Sequence, residues 1–319
     1  MREHDLTVLV RCLAPLSHGA FGESAGNATL VRRMPIVSLP GMPRVPCVSG
    51  NALRGVLRRA IMRDLLARCG LDRASLPAPA WDRLYAALAN GGHLETSETG
   101  VDPDAIRELR ASLPPLSALG AALYSWMLPG HLSVGILWPA CAETVAAGLV
   151  LDGPDPVLPA EDLVHELSHV RHVDREHQSP ELSGVTPMPT TMEALATGTR
   201  LESRVTFARH ATALERGAVA HGLSLVRALG GRSGSGLGSV DVDWMPDHED
   251  QLRAYLAWLA EPEPIADRLR RLAVDLGRRP RRGRGRAETD ADADAADADA
   301  DAADAEPEPI ADADADAEP

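Results

Sequence analysis

The sequence predicts an α+β fold: a ferredoxin-like (RRM-like) palm with a long central insertion and a thumb-like hairpin or arm. Three observations predict it. The patterned segments flanking the middle of the chain run strand, helix, strand, strand, helix, strand, which is the split βαβ order. Gly- and Ser-rich turns punctuate that order near both ends of the folded region. Residues 72–130 read as helical pieces broken by prolines, and an insertion in the palm is expected over about 72–198.

Taken in order, residues 6–13 read as a buried strand. Residues 15–27, with three glycines, read as a loop. Strands are predicted over 31–39 and 44–48, around Pro40-Gly41-Met42-Pro43. Residues 51–69 form a predicted helix, and Gly70 suits its C′ position. A strand is expected over 133–138. Residues 160–177 read as an amphipathic helix or an arm, and 181–191 as a loop or hairpin. Residues 199–207 alternate as a strand, 212–229 are helical, 230–238 are a glycine-rich loop, and 239–244 alternate again. Helices over 248–259 and 265–276 finish the fold. The palm with its insertion thus spans 1–262, and a terminal helix and Arg-rich linker span 263–286. An acidic Ala-Asp tail follows over 287–319 and is expected to be disordered, because it has little to bury and repels itself.

Net charge is −14, but fourteen of the 46 acidic residues lie in 287–319. The rest of the chain carries 32 acidic against 32 cationic residues and is neutral. Every cationic residue is Arg, so each cationic contact is a planar, permanently charged fork suited to phosphate and carboxylate. Cys12, Cys47, Cys69 and Cys141 show no C-x-x-C pairing, which predicts reduced core thiols and a cytoplasmic protein. The most apolar stretch, 116–128, is closed by Pro129-Gly130 and is too short to span a bilayer.

The chemistry concentrates in two places. Pro46-Cys47-Val48-Ser49-Gly50-Asn51-Ala52-Leu53-Arg54-Gly55 runs from a strand through a turn into a helix. A helix start offers unpaired N–H groups to phosphate. Arg54 and Arg58, four apart, share a face beside it. The run from Gly230 to Gly238 follows a helix and leads into a strand. That is the reverse of the dinucleotide fingerprint, and it lacks the Gly-Lys-Ser/Thr of a P-loop. It reads as a backbone cradle for phosphate, with Gly231, Gly234 and Gly236 as its amides and Arg232 as its charge. His165-Glu166-Leu167-Ser168-His169 matches H-E-x-x-H. Arg175 and Met188-Pro189 stand where a third zinc ligand would be, so a polar stripe on an amphipathic segment is the reading adopted. No cofactor, metal or nucleophile motif remains. Only ten aromatic residues are present, too few for a base-stacking sheet, so a nucleic acid, if bound, would be held by its backbone.

Four motifs in order resemble the RAMP superfamily, the RNA-binding subunits of CRISPR effector complexes. They are Leu13-Ala14-Pro15-Leu16-Ser17-His18-Gly19, the run from Pro46 to Arg59, the segment from Met192 to Thr199, and the Gly230–Gly238 loop, together covering about residues 5–245. The form Ser49-Gly50-Asn51-x-Leu53-Arg54-Gly55-x-x-Arg58-Arg59 is most similar to the backbone subunit of type IV systems. The resemblance implies a crRNA-binding subunit that polymerises along the guide, pairs with target nucleic acid through it, and contacts copies of itself and other effector subunits. It implies guide contacts at His18, Arg32, Arg33, Ser49, Gly50, Asn51, Arg54 and Arg58, and at Gly231, Arg232, Gly234 and Gly236. Type III backbone subunits cut target RNA with an aspartate before an Asn-Pro-Val-like segment. Here Val31-Arg32-Arg33-Met34-Pro35-Ile36 places arginine at that point, which implies binding without cleavage. A type III-like RNase with a displaced acid and an H-E-x-x-H zinc peptidase are the alternatives.

Overall fold

The computed structural model describes residues 5–25, 28–94, 103–124, 126–151, 157–169, 190–245 and 248–277. The chain divides into Met1–Pro280 and Arg281–Pro319, and all described residues lie in the first unit. The expected acidic tail, the Arg-rich run and most of 170–191 fall outside the described residues.

The chain opens with β1 (Asp5–Cys12), β2 (Gly19–Ala25), β3 (Ala28–Val31), β4 (Arg33–Pro35) and β5 (Arg44–Pro46), then α1 (Gly50–Arg68). The insertion holds α2 (Ala78–Tyr85), β6 (Gly92–Leu94), α3 (Pro103–Ser112), α4 (Pro114–Leu119), β7 (Ala121–Tyr124) and β8 (Met127–Leu128). There follow β9 (Leu132–Val134), β10 (Trp138–Pro139), α5 (Ala142–Ala146), β11 (Val164–His169) and β12 (Thr190–Leu195). The chain returns through β13 (Arg200–Phe207), α6 (Ala213–Leu225), β14 (Val240–Met245), α7 (Glu249–Leu259) and α8 (Pro262–Gly277).

The palm sheet runs β10-β13-β1-β14, with β9 also on β13. All its pairings are antiparallel. With β9 and β10 as the two halves of the second palm strand, the order is the 4-1-3-2 of a ferredoxin-like sheet, and α1 and α6 are its two crossover helices. Alternation along β1 buries Leu6, Val8, Val10 and Cys12 in one core with Leu53, Leu57 and Ile61 of α1 and Val219 and Leu223 of α6. The helices approach closely because α6 carries small residues. A Cβ on Gly222 would lie 2.3 Å from the Ile61 side chain, and one on Gly217 would lie 2.0 Å from the Gln251 carbonyl of α7. All four cysteines are buried and free, and burial pushes the Cys12 thiol up to about 12. No helix among the described residues is long and apolar enough to cross a membrane.

A second sheet, β11-β12-β3-β2, flanks the palm. It overturns two expectations. The loop expected over 15–27 contains β2, an edge strand whose glycines and short side chains hide it from pattern reading; pairing with β3 decides its conformation. Of the amphipathic helix or arm expected over 160–177, the helix gives way in the described part to a short 3₁₀ turn, Ala160–Leu163, followed by β11, which pairs with β12 from Val164↔Leu195 to His169↔Thr190. The strand expected over 31–39 is two short strands and a turn, because β4 leaves the second sheet to pair with β5. That expected over 133–138 breaks at Gly135, where the start of α1 wedges in: a Cβ on Gly50 would meet Val134 O at 2.2 Å and Gly135 O at 2.6 Å. The helix expected over 212–229 ends at Leu225, but Thr212 caps it as a capping box with Glu215.

Gly217→Ala should lower the unfolding free energy by about 1–3 kcal/mol, the overpacking against α7 outweighing the helix-propensity gain. Urea denaturation followed by circular dichroism measures it.

Candidate nucleic-acid interface

The chain leaves β1 into a strap, Leu13 to His18, that joins three otherwise separate pieces. Leu13 N and Ala14 N donate to Ser239 O at 2.8 and 3.2 Å. Gly238 N donates to Pro15 O at 2.8 Å and Gly231 N to Ser17 O at 2.9 Å, so the strap lies along the glycine-rich loop. Leu16 and Leu195 exchange backbone hydrogen bonds of 2.9 and 2.8 Å, which ties the strap to the end of β12. His18 then turns to α1: its Nε2 accepts from Ser49 N at 3.2 Å. Glycine is required along this contact. Gly230 has φ +83° and would place a Cβ 2.4 Å from Ser17 O; Gly238, at φ +72°, would place one 2.1 Å from Leu229 O.

Around that strap, several predicted contacts come together. Ser49 caps α1, its Oγ accepting from Ala52 N at 3.3 Å. Asn51 is exposed in the first turn, where the helix dipole is positive. Arg32 runs through the same place, its N donating to His18 O and its O accepting from Cys47 N, both at 2.9 Å. Its guanidinium has no ion pair or side-chain hydrogen bond among the described residues. Burial, and then the Arg32 charge, lower the His18 pKa, so the imidazole is neutral at pH 7 and Nε2 is free to accept. On the other side, Arg232 is exposed and left-handed at φ +56°. A Cβ on Gly234 or Gly236 would meet nothing within 4 Å. The loop from Gly231 to Gly236 is thus an open, exposed turn with one free guanidinium.

Other predicted contacts are committed to the fold. Gly50 is buried against β9, and its missing side chain serves helix–strand packing. Arg58 is 8% exposed and points inward, donating to Leu119 O at 2.7 Å, Gly120 O at 2.8 Å and Leu88 O at 3.3 Å. Arg54 adds a bond to Leu119 O at 2.6 Å. Both therefore satisfy carbonyls at the C-terminal end of α4, which a helix end leaves without intrahelical partners. Desolvation, and then the Arg54 charge, lower the Arg58 pKa to about 10. Arg33 grips Glu193 of β12 with two bonds of 2.6 and 3.0 Å, and Glu193 also accepts from Val31 N at 2.9 Å. The Arg33 hydrogen bond holds the Glu193 carboxyl below the usual range.

On α1 the predicted Arg58 lies within the buried, apolar face. Leu53, Leu57, Ile61, Met62, Leu65 and Leu66 define a wide apolar arc that includes Arg58. Arg59 and Arg63 lie on the opposite face, exposed and without an ion pair among the described residues. Counting the apolar arc around the helix would have found them. The H-E-x-x-H stretch lies on β11, where residues four apart are about 13 Å apart along the strand, so the helical zinc-ligand spacing is lost. No cluster of three His, Cys, Asp or Glu among the described residues fits a metal. The palm face that carries Leu9 also carries Arg11, Glu202, Arg204 and Asp243, with no aromatic platform in β1 or β13 there.

Among solved structures, a chain of a Type IV-B CRISPR complex matches with a TM-score of 0.53 and 21% identity, covering 76% of this chain and 90% of that one. A chain of a Type III-B Cmr-beta complex bound to cognate target RNA aligns with a TM-score of 0.39 and 10% identity, over 76% of this chain and 60% of that one. The first match establishes a shared fold. No protein-family model and no curated protein matches the sequence.

Arg58→Ala should cost at least about 2 kcal/mol of stability by orphaning buried carbonyls, and Arg58→Lys should not restore it, because an ammonium cannot span the three acceptors. Thermal unfolding reads both. Glu193 has a depressed folded pKa, so its contribution is present above its unfolded pKa and is lost as pH falls through the folded value. Below about pH 4.5, wild type should therefore lose stability more steeply than Glu193→Gln, as an acid titration monitored by tryptophan fluorescence would record.

Proposed function

We propose that this chain is a guide-RNA-binding subunit of a CRISPR effector complex, one that holds the ribose-phosphate chain and does not cut it. The observation that carries this reading is the convergence at the strap. Ser17 binds the glycine-rich loop and the adjacent His18 binds the start of α1, which gathers the half-buried Arg32 and the exposed Asn51 and Arg232 around the strap. Backbone amides, a helix start and unpaired guanidinium groups are the groups that position a nucleic-acid backbone. They carry no base-reading geometry, so sequence choice would be delegated to guide–target pairing. The fold shared with a chain of a Type IV-B CRISPR complex supports RNA as the polyanion and an intracellular assembly with other effector subunits and further copies of the chain.

Binding without cleavage rests on the same neighbourhood. The position where type III resemblance implies a carboxylate carries arginine, and the carboxylate that does approach it, Glu193, is held by Arg33 and Val31 N. Both of its oxygens are engaged by the Arg33 fork, so its charge is already compensated.

Wild type should bind a guide-length single-stranded RNA, with log affinity falling linearly against log salt. Arg32→Ala combined with Arg232→Ala should weaken binding about tenfold or more and reduce the salt slope by about 0.7 per lost phosphate contact. Adding Arg59→Ala should reduce the slope further, while Mg²⁺ or Mn²⁺ should produce no cleavage. Fluorescence anisotropy across a salt series checks this; no RNA binding at low ionic strength, or variants that bind like wild type, would sink the reading.

A further inference from the structure

A cavity of about 400 Å³ opens on the palm-sheet face that carries Leu9 and Arg11, and it shares no residue with the candidate interface. Strand register builds its floor from two rows, Glu202–Leu9–Asp243 and Arg200–Arg11–Asp241. Ala140 and Val150 add apolar wall. Glu202 is only 5% exposed. Its Oε2 accepts from Leu151 N at 3.1 Å, and its Oε1 has no hydrogen-bond partner. A buried carboxylate oxygen without a donor is rare in folded proteins and signals a missing partner. The cations already present do not supply it. Arg11 is paired with Asp241 at 3.0 Å, and Arg200, two residues away on the same strand, makes no ion pair among the described residues.

We propose that this cavity binds an organic cation of the guanidinium or primary-ammonium class, with its N–H donors on Glu202 and Asp243 and its alkyl stem along Leu9, Ala140 and Val150. A metal ion is a poorer fit, since no cluster of three ligating side chains fits one among the described residues. The volume lies at the lower end of small-ligand sites and suits one such group and its stem. The cation is either a free small molecule or a side chain of a second protein molecule. Of these two groups, the side chains of a second copy of this chain would offer only guanidinium, because it has no lysine.

Agmatine, titrated calorimetrically into the full chain, is the probe. It should bind with a stoichiometry of one. Glu202→Gln should weaken it about tenfold or more, and tetramethylammonium, which has no N–H, should not bind. Because the site is buried, Val150→Trp is the second variant: it fills the cavity and leaves the carboxylate in place, and it should abolish binding while thermal unfolding shows a folded protein. No agmatine binding to wild type, or equal binding by both variants, overturns the proposal. So does an Arg200→Ala variant that loses thermal stability while Glu202→Gln binds agmatine normally, since Arg200 would then be the carboxylate's own partner. Sedimentation velocity separates the sources: association released by agmatine and absent in Glu202→Gln assigns the cation to a second copy, and a monomer throughout assigns it to a free molecule. RNA binding should be unchanged in Glu202→Gln, so the two readings fail independently.

Discussion

Backbone hydrogen bonding at the strap, Leu13 to His18, is the constraint on which the rest of the interface depends. Backbone groups withdrawn from water need partners, and the strap runs over the end of the palm sheet without a strand of its own to pair with. It finds them in the glycine-rich loop, in the end of β12 and, through His18, in the start of α1. Each of those pieces is held in turn by the same bonds. The close approach of Gly230 and Gly238 follows from this, because a side chain at either would push carbonyl and amide apart. Removing water from these groups also sets the chemistry of His18, whose neutral ring is an acceptor rather than a charge.

The second constraint is the all-arginine composition. One residue type does two opposite jobs in this fold. Arg58, Arg54, Arg83 and Arg110 direct planar forks at backbone carbonyls in and around the insertion. Arg33 fastens the short strand β4 to β12. Arg32, Arg59, Arg63 and Arg232 have no such partners among the described residues and face outward to differing degrees. A guanidinium inside the fold is stable only where acceptors surround it, because desolvating a charge is costly. The inward arginines are therefore found where a chain end or helix end leaves carbonyls without partners, as at Leu119 and Gly120.

Much of the fold is legible in the sequence. The apolar run of 6–13, the alternation of 199–207 and 239–244 and the C′ glycine Gly70 are local signals, and they located the palm and its first helix. The second sheet was not legible. Residues 19–25 and 164–169 have weak or misleading local patterns, and they become strands through partners far along the chain. The H-E-x-x-H spelling misled for the same reason: four-residue spacing means adjacency on a helix and separation on a strand.

By itself, the sequence determined the βαββαβ order, the glycine-lined turns, the reduced thiols and a cationic chemistry restricted to guanidinium. These depend on local conformational preference and on residue type, which each residue carries wherever it sits. Only the tertiary structure decided which arginines face solvent and which end on carbonyls, that β11 is a strand, and that Glu202 is buried with one oxygen unpaired. Those outcomes depend on which acceptors and which neighbouring strands the packed chain brings within hydrogen-bonding distance, and that distance is a property of the fold and of no single segment.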